Sequence, residues 1–275
     1  MGKQWKTILS LVLLAVFLVS TGLLLGNLRA FRQGDEIYTD AKALAASAEQ
    51  TRKGESALPS LSQSPQEPVW IPAPVEEDPE FLQLQQLNIP ALQEQNPQVI
   101  GWIRIPGTPV DYPLLQGEDN QFYLEHDWKG DPAYVGSIFL EYQNSPGLMD
   151  YNTVVYGHNM LSGAMFGTLH KYQSEAYREA HPYIYLVTGA GVLRYEIFSS
   201  YNAAVDSQTY ALSFPQEENK RDFLIMALEY SDIDTKITPD LMDRILTLST
   251  CNGSGYRSRR VVHARLPMIP QEPSP

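Results

Sequence analysis

Residues 244–266 read RILTLSTCNGSGYRSRRVVHARL. An apolar run ends in the chain's one cysteine, Cys251; NGSG follows, and then a second run rich in valine. Two β-rich runs separated by Gly- and Asn-containing punctuation predict a pair of antiparallel strands. Working outward, the same texture repeats upstream: VIGWIRI before PGT, VDYPLLQ before GEDN, GSIFLEY before QNSPG, then NTVVYGH, YIYLV before TGAG, and VLRYEIFSSYNA. Strands this short, bounded by Gly, Pro, Asn and Asp, predict a mainly β domain, a barrel or a sandwich, with no βαβ alternation. The domain is expected to begin near Glu80, where Phe81, Leu84 and Leu87 fall at helical spacing before Pro90 interrupts them. Further helices are expected over 163–172, 174–180 and 216–230, the last with an amphipathic pattern.

The composition narrows the function classes. With 275 residues, 43% hydrophobic and 19% charged, most of the chain should fold, as one or two domains. A formal charge of -12 sets up a field that repels phosphate backbones, so nucleic acid is not an expected partner. One cysteine excludes an internal disulfide and any Cys-built zinc or iron–sulfur site, which need ligands in sets.

The N-terminus reads as a membrane anchor. Residues 7–28, TILSLVLLAVFLVSTGLLLGNL, are uncharged and about as long as a bilayer-spanning helix. A cleaved signal peptide would have an apolar region of about 7–15 residues and an Ala-x-Ala-like site, and neither is present cleanly. Lys3 and Lys6 on one side are balanced by Arg29 and Arg32 on the other, so charge alone does not set the topology. The long, acidic, cysteine-poor remainder favours export. The expected organisation is therefore a cytoplasmic 1–6, a span at 7–28, a helical stalk at 29–51, a Pro/Ser/Gln-rich linker at 52–79, a folded domain at 80–268 and a disordered tail at 269–275.

Cys251, at a strand end against a turn, is placed to be exposed, although a free cysteine is more often a small buried hydrophobe. Acyl transfer by a thiolate needs a group to support it and a donor for the oxyanion. Among His126, His158, His170, His181 and His263, His158 stands out because it ends the run VVYGH at a strand end; His263, mid-strand in VVHAR, reads as a half-exposed sheet residue. Past the turn lie Arg257, Arg259 and Arg260. Adjacent strand side chains alternate faces, so Arg259 and Arg260 cannot both face a cleft at the thiol.

Taken together, TLSTC at Cys251, VVYGHNMLSGAMFGTLHKY around His158, RRVVHARL and GWIRIPGTPVDYPLLQGEDNQFYLEHD with GSIFLEY resemble the sortases, specifically their class B branch, over residues 80–268. The resemblance implies a closed β-barrel of about eight strands with an N-terminal helix and a longer helix before the last strands. It implies a cysteine transpeptidase that cleaves a C-terminal sorting signal after its Thr and joins the new carboxyl to an amine. Cys251 is then the nucleophile, His158 the general acid/base and Arg259 the oxyanion donor, Arg259 being chosen because the family pattern is Arg, one residue, then Val-Val. Asn120, Leu124, Tyr156, Ser249, Thr250 and Tyr210 match substrate-groove positions. No metal and no cofactor is implied. The implied partners are surface proteins bearing a sorting signal, a peptidoglycan precursor or a pilin as amine acceptor, and the membrane of a Gram-positive cell, with the domain a monomer on the extracellular face. Pilin polymerisation and a non-catalytic binding module on the same barrel are the alternatives. An L,D-transpeptidase would carry a His-Gly-Cys-type motif, and Ser249-Thr250-Cys251 lacks the glycine.

Overall fold

The computed structural model describes residues 2–47, 69–75, 78–251 and 257–271, with side chains at all of these except 2–10, 23–35 and 251. The eight runs quoted above form eight strands: β2 Val99–Arg104, β3 Asp111–Leu115, β4 Ile138–Leu140, β5 Asn152–Tyr156, β6 Tyr183–Thr188, β7 Gly191–Ala204, β8 Arg244–Cys251 and β9 Ser258–Leu266. They close into one barrel in the order β2-β3-β4-β5-β8-β9-β7-β6, with β6 pairing back onto β2. Closure removes every edge of this sheet, and it decides between the barrel and the sandwich that the strand pattern alone left open.

Two of the pairings are parallel, β3 with β4 and β5 with β8. A parallel neighbour requires a long crossover. For β5 and β8 it is residues 157–243, which contain β6, β7 and two helices, α4 Glu175–Ala180 and α5 Glu217–Glu229. The consequence is that β5 and β8 end at the same end of the barrel, where β9 begins.

The barrel wall is buried on both faces around β8 and β9. Leu246, Leu248, Val262, Ala264 and Leu266 belong to the main core, whereas Ile245 and Val261 pack with Phe223, Leu224 and Ala227 of α5 and with Phe198. That double burial explains why these strands read as apolar runs instead of strict alternations. α5 starts as its sequence demands: the Gln216 N–H donates to the Asn219 side chain at 3.2 Å, and Glu217 and Glu218 lie at its positive end.

The N-terminal organisation differs from the sequence reading. The helix α1, Gly2–Ala45, does not leave the domain as a stalk: Tyr38, Ala41 and Ala45, spaced to share one helical face, are buried in the main core. The Tyr38 hydroxyl donates to Gly136 O at 2.6 Å, Trp128 Nε1 donates to Ile37 O at 3.2 Å, and Lys42 pairs with Asp111 at 3.2 Å. Small alanines allow this close approach. Two short helices follow, α2 Pro79–Leu84 and α3 Ile89–Gln95. Pro90 does not break a helix but stands in the first turn of α3, as Pro79 does in α2, where a missing N–H costs nothing.

The linker and tail boundaries also shift. Trp70–Pro72 forms β1 and pairs with Met268–Pro270, β10, as a small two-stranded sheet. Prolines fit there because a two-stranded ribbon is all edge. Residues 52–68, 76–77, 252–256 and 272–275 lie outside the described residues. The helix expected over 163–172 is a loop followed by a 3₁₀ turn, Leu169–Gln173, because Gly163 and Met165 take positive φ (85° and 52°) and break the right-handed path.

Among the described residues no helix is long and apolar enough to cross a membrane. Within the run 7–28, side chains are described for 11–22, and there Leu11, Leu13, Val16, Phe17, Leu18 and Val19 are all exposed.

Candidate active site

The parallel register of β5 and β8 sets Tyr156 beside Ser249. Two residues further on each chain come His158 and Cys251. The Gly157 N–H donates to Ser249 O at 3.2 Å and carries the pairing one residue past β5. On the other side of β8, the antiparallel register with β9 puts the backbone of Cys251 opposite Arg259. The three residues assigned to chemistry thus come from three adjacent strands at one end of the barrel.

That end opens into a cleft of about 240 Å³ lined by Asn120, Leu124, Phe139, Tyr156, Gly157, His158, Val205, Tyr210 and Arg259. Six of the nine sequence-assigned residues therefore line one cavity. Ser249 stands behind its wall, fully buried, with its hydroxyl 2.9 Å from that of Tyr210. Thr250 is a correction: its side chain is buried, is registered with Arg260 on the opposite strand face, and its Oγ1 has no hydrogen-bond partner among the described residues. Alternation along β8 turns it away from the cleft. For Cys251 the structure describes the strand position.

The two arginines separate as alternation requires. Arg259 lines the cleft, whereas Arg260 is 1% exposed, on the face of Val262, and its Nη1 lies 2.5 Å from Asp232 Oδ2.

His158 is held by its far nitrogen. Nε2 lies 2.6 Å from the Leu124 carbonyl oxygen, which sits at the end of the 3₁₀ turn Phe122–Leu124. A carbonyl can only accept, so Nε2 carries the proton of that bond, and Nδ1 is the nitrogen that remains for exchange with a reacting group. Gly136 makes the arrangement possible: its φ is +56°, and a Cβ there would lie 2.6 Å from Leu124 O and 2.9 Å from His158 Cδ2. Gly157 is similarly constrained, since a Cβ would meet the Phe166 ring at 2.8 Å.

Tyr210 rides on the 3₁₀ turn Gln208–Tyr210, which is pinned from below by a closed chain of buried polar groups. Asn152 Nδ2 donates to Thr209 O and Ala211 O, and its Oδ1 accepts from the Thr247 hydroxyl at 2.6 Å. Thr247 Oγ1 is then the acceptor for His263 Nδ1, at 2.9 Å, and His263 Nε2 accepts from the Tyr201 hydroxyl at 3.0 Å. The Tyr201 oxygen closes the circuit by accepting from Thr209 Oγ1 at 2.9 Å. The scheme needs neutral His263, and burial lowers its pKa from 6.5 to about 3. The expectation of a half-exposed His263 is overturned, since α5 and β7 cover that face of β9.

Sequence reading missed Glu141. It follows β4 directly, is 6% exposed, and its Oε2 accepts from Asn120 Nδ2 at 2.6 Å and from the Tyr156 hydroxyl at 2.9 Å. Burial, and after it the Glu141 carboxylate, push the Tyr156 phenol well above its ordinary value, with Arg259 pulling the other way. An acid closing the apolar run SIFLE was the available signal. Among the described residues no three His, Cys, Asp or Glu side chains cluster as metal ligands.

Known proteins share this architecture. The sortase domain family matches residues 103–267. Sortase B of Listeria monocytogenes is 37% identical over 172 residues, 62% of this chain and 70% of its own length. A solved Staphylococcus aureus sortase B–substrate complex aligns at 30% identity and TM-score 0.62, covering 67% of this chain and 85% of that one. Sortase B from B. anthracis aligns at 28% identity and TM-score 0.66, covering 89% and 100%. A closed eight-stranded barrel with a strand-end cysteine, histidine and arginine is the architecture of a cysteine transpeptidase. The chain belongs to the sortase family, and within it to the class B branch.

Proposed function

We propose that the chain is a membrane-anchored transpeptidase that cleaves a C-terminal sorting signal after its Thr and transfers the protein to an amine of a peptidoglycan precursor. The reading is carried by one observation: the registers of β5, β8 and β9 bring His158, Cys251 and Arg259 to one barrel end, with His158 and Arg259 on one cleft.

In the first step the Cys251 thiolate adds to the Thr carbonyl carbon, and the negative charge passes to the carbonyl oxygen. The Arg259 guanidinium supplies the donor for that oxyanion. Collapse expels the amide nitrogen, which takes a proton from His158 and leaves as an amine, while the acyl group remains on sulfur as a thioester. In the second step the acceptor amine attacks the thioester carbonyl, gives its proton to neutral His158, and the thiolate departs. Protons and charge balance over the cycle, with His158 alternately donating and accepting through Nδ1. Asn120, Leu124, Tyr156 and Tyr210 hold the signal peptide.

The anchor reading is supported by the uncharged run 7–28 and by residues 11–22, whose large apolar side chains are exposed all around the helix; a helix on a soluble surface buries one stripe instead. With that anchor the catalytic domain lies on the extracellular face of the plasma membrane.

The test is a peptide-cleavage and amine-transfer assay on the full chain in detergent micelles. Wild type is expected to give a peptide–amine product, and Cys251→Ala, folded by circular dichroism, none. Undiminished turnover in Cys251→Ala would overturn the mechanism.

A further inference from the structure

We propose that Glu141 is a positioning residue for the signal peptide: its buried carboxylate fixes the amide of Asn120 and the hydroxyl of Tyr156 in the cleft, and so sets peptide affinity. This rests on the transpeptidase reading for its substrate.

A glutamate is seldom this buried without a partner. Among the described residues no Lys, Arg or His forms an ion pair with it, although Arg259 lines the same cleft. What it does hold are two cleft residues on one oxygen, Asn120 at 2.6 Å and Tyr156 at 2.9 Å, while Oε1 is 3.4 Å from the Gln143 N–H. Its own backbone is fixed on both sides: its N–H donates to Val154 O at 2.8 Å, and its carbonyl accepts from Gln116 Nε2 at 3.2 Å. The carboxylate is thus anchored to the barrel wall and presents its acceptors to the cleft lining.

The directions of these bonds follow from chemistry. A carboxylate only accepts, so Nδ2 of Asn120 must face it, and Oδ1 must face the Tyr142 N–H, which it does at 3.0 Å. A flipped amide would set oxygen against carboxylate and NH₂ against N–H. Asn120 therefore offers the cleft one fixed donor and one fixed acceptor. Tyr156 spends its only proton on Glu141, which leaves its oxygen as an acceptor toward a bound peptide. Glutamine at 141 would keep the shape, but its uncharged oxygen would have to accept from both donors while its NH₂ faced the Gln143 N–H, so both bonds to the cleft residues lose their charge assistance.

The experiment compares wild type and E141Q as full chains, with the same signal peptide and amine. E141Q is expected to raise KM for the peptide about tenfold or more with kcat nearly unchanged, because no reacting atom touches Glu141. In an Asn120→Ala background the same change should raise KM far less, since part of the effect runs through Asn120. Should E141Q fail to fold, E141D, whose carboxylate is set back by one methylene, reads the same KM rise. An unchanged KM in a variant of an active wild type, or a fall confined to kcat, overturns the proposal alone. Absence of turnover in wild type overturns the transpeptidase reading and this proposal with it.

Discussion

Arg259→Ala and Arg260→Ala should separate catalysis from stability, although the two residues are adjacent. Arg259 lines the cleft opposite the backbone of Cys251, and truncating it removes the proposed oxyanion donor. Loss of one such donor costs roughly 10²–10³ in kcat, about 2.7–4 kcal/mol of barrier. Its side chain lines the cleft and is only half-buried, so the melting temperature should fall less than in Arg260→Ala. Arg260 is the reverse. Its side chain is 2% exposed and paired with Asp232, which is 44% exposed. Removing one member of a fully buried pair costs about 3–5 kcal/mol, but Asp232 can regain water, so about 2–3 kcal/mol is expected. At about 2–4 °C per kcal/mol for a domain of this size, the melting temperature should fall by roughly 4–12 °C. Single-turnover acylation at saturating peptide, with thermal melts on the same preparations, reads both quantities. A larger loss of activity in Arg260→Ala, measured where it is folded, than in Arg259→Ala would move the oxyanion role away from Arg259.

Three further outcomes follow from the structure. Because the folded state holds His263 neutral to about pH 3 while the unfolded chain protonates near 6.5, stability should fall as pH drops through that window, by roughly 3 kcal/mol at pH 4 at 1.36 kcal/mol per unit; urea midpoints in His263→Gln should lose that part of the slope, and equal slopes would contradict the assignment. Gly136→Ala should be folded poorly or, where folded, acylate slowly, since its Cβ would displace the Leu124 carbonyl that holds His158; wild-type rates would contradict this. Tyr38→Phe should cost about 1 kcal/mol in chemical denaturation through its bond to Gly136 O, whereas a chain begun at residue 80, lacking Tyr38, Ala41 and Ala45 in the core, should lose several. Equal stability of the shortened chain would show that α1 is no part of the domain.

All eight barrel strands were legible because each is a short apolar run between Gly, Pro, Asn or Asp, a pattern that local chemistry writes directly into sequence. Their order was not, because the β3–β4 and β5–β8 pairings join segments whose partnership leaves no local mark. Residues 36–47 looked like a stalk since Tyr38, Ala41 and Ala45 are a sparse stripe, and only the barrel shows what they bury against. Proline content hid β1, which is short and paired only with β10. At the site, strand-end placement singled out Cys251 and His158, and the family resemblance, by its pattern of Arg, one residue, then Val-Val, chose Arg259. The alternation that sets Arg259 and Arg260 on opposite faces applies equally to Thr250, whose neighbour Ser249 takes the other face. Glu141 was obscured because its meaning lies in partners 15 and 21 residues away.

The proposed cycle passes through a thioester on Cys251. Intact-mass spectrometry of the full chain in micelles, incubated with a library of candidate sorting-signal peptides and then with excess amine, tests it most directly. The expected result is an adduct equal to the acyl fragment ending in Thr, located on Cys251, absent from Cys251→Ala, and discharged by the amine as a peptide–amine product. A folded protein whose thiol reacts with a small alkylator yet forms no adduct across the library would contradict it.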